Sequence, residues 1–368
     1  MSEPEPLQFV GNNQVRLRRR TLTYFAGCDY FRLARDPRLA AAAKNSLAKH
    51  GLNVAASRRT TGNHKIYARL EAELARFFGS ENALLLPDGY LAPAAAAQAL
   101  AGEFTHALID EFAHCALVDA ARMLDCPVII FPHRDVAGLG KLLSKCGRNA
   151  RPMVLTDGMF AHDGSVAPLR EYLHILPARG MILVDDAHGA GVLGRTGKGT
   201  PEFEGVGRGR IVQCATLSKA FGVYGGVVLA SHALRKKIVA QSRSFIGTTP
   251  LPPPLAGAAL AAVKILRAEP ERRERLFQNV RLVRTKLLAS GWVIAETPGP
   301  IIRLPLMGER EVINLKRCLL GAGIHPPFLQ YGGASAQGFF RFVISSEHSR
   351  AQLQQLIAVL SGFKVRQR

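Results

Sequence analysis

Acidic residues are scarce: in 368 residues, 28 Asp and Glu stand against 48 Lys and Arg, a formal charge of +20. An acidic tail is excluded, and with 48% hydrophobic and 21% charged residues so is a largely disordered chain. Cysteine is sparse as well. Cys28, Cys115, Cys126, Cys146, Cys214 and Cys318 stand singly, with no Cys-x-x-Cys pair, which argues against a zinc knuckle and a disulfide framework and reads as cytoplasmic. No uninterrupted apolar run reaches the ~18 residues of a membrane span. Residues 1–6 are acidic and proline-bearing rather than basic and then apolar, so neither an export signal nor a membrane span is expected. Internal repeats are also lacking.

The excess positive charge suits nucleic acid, an acidic membrane or an anionic small molecule drawn in by electrostatic steering. Its placement argues for the plainest reading. The basic residues are scattered except for Arg16, Arg18, Arg19 and Arg20, and no aromatic residues interleave with them as a nucleic-acid surface would need. We expect a solvated face there and no nucleic-acid partner.

The length suggests two domains, a large one over residues 36–250 and a smaller one from 1–35 and 251–368. Between residues 82 and 231, short apolar runs at 83–86, 107–109, 128–131, 153–155, 181–184 and 227–229 alternate with helix-like segments, the pattern of an α/β domain with a mostly parallel sheet. Before them, Tyr67, Leu70, Leu74, Phe77 and Phe78 recur on one helix face, predicting a helix packed on that sheet. The proline-rich stretch 248–254 cannot sustain a helix and marks the exit from the large domain. One long helix is then expected over 255–290, followed by an α+β region with strands near 292–295, 301–305 and 339–344, helices near 309–320 and 350–360, and a frayed basic tail at 364–368.

Three segments stand out chemically. In Val184-Asp185-Asp186-Ala187-His188-Gly189 an apolar strand runs into two acids and a histidine, where open α/β sheets bind ligands, although a solvated, capping strand end reads equally well. Lys219, among small and apolar residues in 215–222, is either a nucleophile with a lowered pKa or an ordinary surface charge. Asp88-Gly89-Tyr90 lies between a strand and an Ala-rich stretch, as either a phosphate cradle or a plain turn. Two motif matches are set aside. Residues 189–194 fit Gly-x-Gly-x-x-Gly but lead into a glycine-rich loop instead of a helix, and Gly197-Lys198 lacks the other residues of a P-loop.

In order and spacing these pieces resemble the α-oxoamine synthases, pyridoxal-phosphate enzymes of the aspartate-aminotransferase fold (fold type I). The resemblance covers about residues 22–360. It rests on Ser57-Arg58 through Gly62, Leu70-Glu71, Asp88-Gly89-Tyr90, Asp110 through His114, Asp157-Gly158, Asp163-Gly164, Asp185 through His188, and Thr216 through Gly222.

The resemblance implies a C-acyltransferase that condenses a small amino acid with an acyl thioester of coenzyme A or a carrier protein and releases carbon dioxide. Within the family, the nearest activity joins alanine to a pimeloyl thioester, a step of biotin biosynthesis. The alternatives are a ligase forming 2-amino-3-ketobutyrate, an aminotransferase, an aldolase, or a cofactor-binding protein without turnover. By resemblance, Lys219 carries the cofactor and acts as the base at Cα, Asp185 pairs with the pyridine nitrogen, His188 bonds the phenolic oxygen, and His114 stacks on the ring. Gly89, Tyr90 and Thr216 hold the phosphate. Thr248 and Thr249 reach the phosphate of a neighbouring subunit, which implies a homodimer. Arg341, in 338–348, grips the substrate carboxylate with the bidentate fork that Lys lacks. No metal is expected. The chain departs from the family pattern at Ala161, where a serine is usual and His162 follows, at Tyr67, where histidine is common, and at Gly332-Gly333. These changes bear on the acyl pocket more than on the cofactor.

Overall fold

In a computed structural model, residues 5–330 and 338–363 are described. They fall into two compact units. The larger comprises Asp36–Phe160 and Val166–Pro270; the smaller comprises the described residues up to Arg35, Ala161–Ser165, and those from Glu271 onward. Gly332-Gly333 and the tail at 364–368 lie outside the described residues.

Three short strands, β1 (Gln8–Phe9), β2 (Gln14–Leu17) and β3 (Arg20–Tyr24), open the smaller unit. The larger unit then starts with two helices, α1 (Pro37–His50) and α2 (Lys65–Phe78). The apolar spacing foreseen for α2 is what the fold uses: Tyr67, Leu70, Leu74, Phe77 and Phe78 are all buried, and Gly79 closes the helix in the left-handed conformation. The chain next alternates between strand and helix: β4 (Asn82–Leu86), α3 (Leu91–Ala99), β5 (His106–Asp110), α4 (Cys115–Arg122), β6 (Val128–Phe131), α5 (Val136–Lys145), β7 (Pro152–Asp157), α6 (Leu169–Ile175) and β8 (Met181–Asp185). After the short α7 (Thr200–Phe203) come β9 (Ile211–Thr216), β10 (Gly226–Ala230), α8 (His232–Gln241), α9 (Arg243–Ile246) and α10 (Pro253–Ala268).

The seven strands lie in the order β4-β10-β9-β8-β7-β5-β6. Strands β5 to β9 are mutually parallel, while β10 runs antiparallel to both neighbours. Side chains alternate between two faces, as the strand period requires. Met153, Leu155, Leu183 and Val212 pack with the Ala-rich α3 and with Leu117 and Leu234, while Val154, Ile182 and Val184 pack with Leu139, Leu169 and Tyr172. While the edge strand β6 leaves Val128 and Ile130 exposed, apolar cover on both faces explains why the inner strands read as continuous apolar runs. It also leaves the carboxyl ends of the strands as the place where polar side chains gather.

The structure differs from the sequence expectations in several respects, among them the unforeseen short strands of the smaller unit and the placing of residues 161–165 in that unit. Strand β9 was not foreseen, because Gln213, Cys214 and Thr216 interrupt its apolar pattern although all are buried. The single helix expected over 255–290 is two, α10 and α11 (Glu271–Ala289), since Pro270 has no N–H with which to continue the ladder. The boundary expected at residue 250 therefore moves to Pro270, because α10 packs against α1 and α2 inside the larger unit. No strand forms over 292–295. Trp292 and Ile294 are buried there, but Trp292 Nε1 donates to the Leu360 carbonyl and the Ala295 carbonyl accepts from Arg284, so side chains hold the segment instead of a ladder.

In the smaller unit, after α11 come β11 (Ile301–Arg303), α12 (Glu309–Gly321), β12 (Ile324–His325), β13 (Phe328–Leu329), β14 (Phe339–Val343) and α13 (Arg350–Gly362). Strand β12 joins the β1-β2-β3 sheet, and β11-β14-β13 form another. Residues 161–165 belong to this unit through their contacts: a Cβ on Gly164 would stand 3.1 Å from the Ile301 side chain. His348 is a core residue, its ring stacked 4.2 Å from that of Phe25 and its Nδ1 accepting from the Ser345 N–H at 2.9 Å. Burial pushes its pKa down to about 3, so it is neutral at ordinary pH.

Candidate active site

A cavity of about 420 Å³ opens in the larger unit, lined by Asp88, Gly89, Tyr90, His114, Asp157, Asp185, Ala187, His188, Thr216, Ser218, Lys219 and Tyr224. Seven residues singled out from the sequence for one site thus meet in one place: Gly89, Tyr90, His114, Asp185, His188, Thr216 and Lys219. Topology explains the convergence. Asp157 and Asp185 end adjacent parallel strands in direct register, Thr216 ends β9, and His114 caps the helix that follows β5.

Asp185 is 7% exposed, and its Oδ1 accepts the Ala187 N–H at 3.1 Å. Burial pushes its pKa up, while the charges of Lys219 and His114 pull it back. The His114 ring is fixed at one edge, where Nδ1 accepts the Ala116 N–H at 3.2 Å, and the backbone N–H of His114 donates to Asp157 Oδ1 at 2.9 Å. The neighbouring Tyr90 ring stands 6.1 Å away, edge on, and a hydrogen bond from its hydroxyl to Asp119 pushes the Tyr90 pKa up to about 12.

Beside these groups the β4–α3 turn makes a backbone-walled corner. Asp88 Oδ1 accepts the Leu91 N–H at 2.9 Å, and a Cβ on Gly89 would stand 2.7 Å from Thr216 Cβ, so only glycine lets the two segments meet. The Thr216 hydroxyl accepts the Ser218 N–H at 3.1 Å, which bends the chain toward Lys219. The corner offers backbone and hydroxyl donors to an anionic group, and the lysine faces a buried acid across the same cavity.

Asp186, next to Asp185, points into a different environment. Its oxygens accept the Thr200 hydroxyl at 2.6 Å, the Thr200 N–H at 2.9 Å and the Gln213 amide, and burial pushes its pKa up to about 7. The glycine motif set aside above serves this carboxylate: a Cβ on Gly189 would stand 2.1 Å from Asp186 Oδ1. The motif segment 57–71 is also structural. Arg58 and Glu71 form a buried ion pair, Glu71 accepts the Leu85 N–H at 3.0 Å, and Arg58 lies over the rings of Tyr67 and Phe245. Tyr67, the departure noted above, keeps a buried hydroxyl without a hydrogen-bond partner.

Thr248 and Thr249 do not line this cavity; the Thr248 hydroxyl donates to the Ser244 carbonyl at 2.7 Å, and Thr249 is exposed. In the smaller unit, Arg341 Nη1 donates to the Ala161 carbonyl at 2.7 Å, Nη2 lies 3.9 Å from Cys28 Sγ, and the buried Nε has no partner. Asp163 is held well below the usual carboxylate range: burial acts upward, but His162 and the Ser165 N–H outweigh it. Sequence reasoning gave Asp157 no role. The missed signal was that β5, β7 and β8 all end in Asp, so parallel neighbours would gather three acids at one sheet end.

With this geometry in view, the chain's relatives are informative. Residues 29–360 match the family of class I and II aminotransferases. The 8-amino-7-oxononanoate synthase of Trichlorobacter lovleyi is 34% identical over 358 residues, covering 95% of this chain and 90% of that protein. Among solved structures, serine palmitoyltransferase from Sphingomonas wittichii superposes with a TM-score of 0.91 at 26% identity, over 98% of this chain and 92% of that one. The 8-amino-7-oxononanoate synthase of Francisella tularensis gives 0.79 at 25% identity, over 92% and 96%. The fold is thus that of fold-type-I pyridoxal-phosphate enzymes, and the chain belongs to the family of class I and II aminotransferases, within which it is similar to the 8-amino-7-oxononanoate synthases.

Proposed function

We propose that this α-oxoamine-synthase-type acyltransferase joins alanine to a pimeloyl thioester with loss of carbon dioxide, the reaction of an 8-amino-7-oxononanoate synthase. The observation that carries the reading is the pairing of Lys219 with the buried Asp185 across a cavity whose corner is walled by Gly89 and Thr216. Pyridoxal phosphate is the cofactor, and the residues present fit it. The corner that a Cβ at Gly89 would fill can take the phosphate, a buried acid suits a ring nitrogen, and an amine stands opposite.

When bound, the cofactor supplies an electron sink for the pair left at Cα as a bond to it breaks. The chain's own residues do the rest. Lys219 takes and returns the proton at Cα, and its charge and that of Asp185 stabilise each other. Asp185 presents a buried carboxyl, where one charge acts strongly on its neighbour. His114 walls one side of the cavity and His188 offers a ring nitrogen. The Thr216 hydroxyl and the backbone of Gly89 and Tyr90 would hold the phosphate. Thr248 and Thr249 would donate to the phosphate of a second copy in a homodimer. Arg341 would hold the substrate carboxylate in place of the Ala161 carbonyl it now bonds.

The deciding experiment is the absorption spectrum of the protein with pyridoxal phosphate, titrated with alanine, glycine and serine and then with acyl thioesters. A spectrum that alanine alone perturbs, with a ketone product and carbon dioxide formed only on adding pimeloyl thioester, supports the reading. Perturbation by serine alone with a long-chain thioester replaces it with a palmitoyltransferase-like activity, and an amino-acid product without thioester replaces it with transamination. The +20 charge suits the phosphates of coenzyme A or an acidic carrier protein. Raising the salt concentration should therefore raise the Michaelis constant for the thioester more than that for alanine.

A further inference from the structure

The cavity holds a buried acid that these roles leave unused. Asp157 ends β7 beside its register partner Asp185, is 4% exposed, lines the cavity, and accepts the His114 backbone N–H at 2.9 Å. Two carboxyls so placed and both buried resist being ionised together, because each charge raises the cost of the other. Their surroundings decide which one keeps a proton.

The charged groups facing Asp157 come from every element around it: Asp110 at the end of β5, His114 at the start of α4, Asp185 on β8, and Lys219 beyond β9. Asp185 and Asp110 bear on it as like groups that disfavour its charge, while the hydrogen bond from the His114 backbone N–H and the charge of Lys219 act the other way. Asp185 differs in having both Lys219 and His114 as favourable neighbours. Asp110 already has partners of its own, accepting from the Phe112 and Arg134 N–H groups at 2.9 Å and standing 3.0 Å from His133 Nδ1.

We propose that Asp157 is the protonated member of this pair: as a neutral carboxylic acid it fixes the backbone of His114 and leaves Asp185 as the single negative charge opposite Lys219. Burial drives the Asp157 carboxyl well above the ordinary carboxylate range, and the Asp185 charge drives it further. Burial raises Asp185 as well, but Lys219 and His114 work against that rise. Asp157 is thus a positioning residue, acting through His114 and through the charge it withholds. The consequence for catalysis rests on the proposed function, whereas the protonation state does not.

Infrared difference spectra of wild-type and Asp157→Asn holoprotein at neutral pH separate the two. The carbonyl band of a protonated carboxyl should be present in the wild type and missing from the variant, whatever reaction the enzyme performs. If the variant instead loses a carboxylate band, Asp157 is ionised and the proposal fails. In steady-state kinetics, Asp157→Ala should lower kcat about tenfold by leaving the His114 N–H without its acceptor. Asp157→Asn, which keeps that acceptor and adds no charge, should recover most of the loss. An Asn variant as impaired as the Ala variant would show that the site needs a negative charge at position 157, and would overturn the proposal. If the spectra show the protonated carboxyl while no thioester is turned over, the proposed function fails and this inference stands.

Discussion

Asp185 and Asp186 are neighbours in the chain and opposites in the molecule. Asp186 is held by Thr200, Gln213 and the glycines around it, with both oxygens occupied by donors of the fold. Asp185 is buried almost as deeply but takes one backbone N–H at 3.1 Å and otherwise faces the cavity, where Lys219 and His114 provide its charge balance. Of two acids in one motif, the one the fold has fully bonded stabilises structure, and the one left open to the cavity is available for chemistry. Sequence adjacency does not separate them; the alternation of side chains at the end of β8 does.

The sharpest test of that contrast is on the cavity side. Replacing Lys219 by Ala should abolish turnover and the hydride-trapped cofactor adduct seen by mass spectrometry; an adduct that survives would place the anchor at another lysine. Asp185→Asn should lower kcat by about a hundredfold or more, since a neutral amide cannot balance charge in the cavity, while the denaturation midpoint changes little. A stability loss larger than the activity loss would erase the distinction between the two acids.

On the other side, Asp186→Asn should act mainly on stability, at about 1–3 kcal/mol for a disturbed buried hydrogen-bond set, with the specific activity of the folded fraction retained. The pH dependence has a definite sign. The folded pKa of about 7 lies above the unfolded value of 3.8, so the native state holds the proton more tightly. Its stabilising effect is complete below about pH 4 and is lost as the pH rises through 7. Urea midpoints of wild type and variant should therefore converge, or cross in favour of the variant, between pH 4 and 7; a constant gap would count against the shift. The smallest expected effect belongs to Thr200→Ser, which keeps the hydroxyl on Asp186 and removes one buried methyl, worth about 1 kcal/mol in thermal unfolding, with no change in kcat.

The same contrast marks what could be read in the sequence. Six strands of the main sheet were legible because their apolar runs are continuous; in five of them both faces are covered, whereas in the edge strand β6 Val128 and Ile130 are exposed. The seventh, β9, hides a buried Gln213 whose amide serves Asp186, and no pattern of hydrophobicity shows such a partner in advance. At 292–295 the pattern did alternate, but Trp292 and Ala295 are bonded to α13 and α11 instead of a strand. The cavity residues were legible because strand ends and following turns announce themselves as acids, histidines and glycines after apolar runs. Asp157 was visible in the same way but needed the strand order to acquire meaning, since only the β7–β8 register puts it beside Asp185.

Strand β4 has a single partner in its sheet, β10, which lies far along the chain, and a Cβ on Gly226 would fall 2.0 Å from the Asp88 carbonyl. The corner at Gly89 is therefore assembled from the beginning and the end of the larger unit, and Thr216 closes it. During synthesis, a ribosome that has released β4 through β8 has made most of the sheet but no seat for a phosphate. Long-range pairing of this kind is slow to form, and a chain truncated before residue 226 lacks the strand that joins β4 to the rest of the sheet and with it the corner at Gly89.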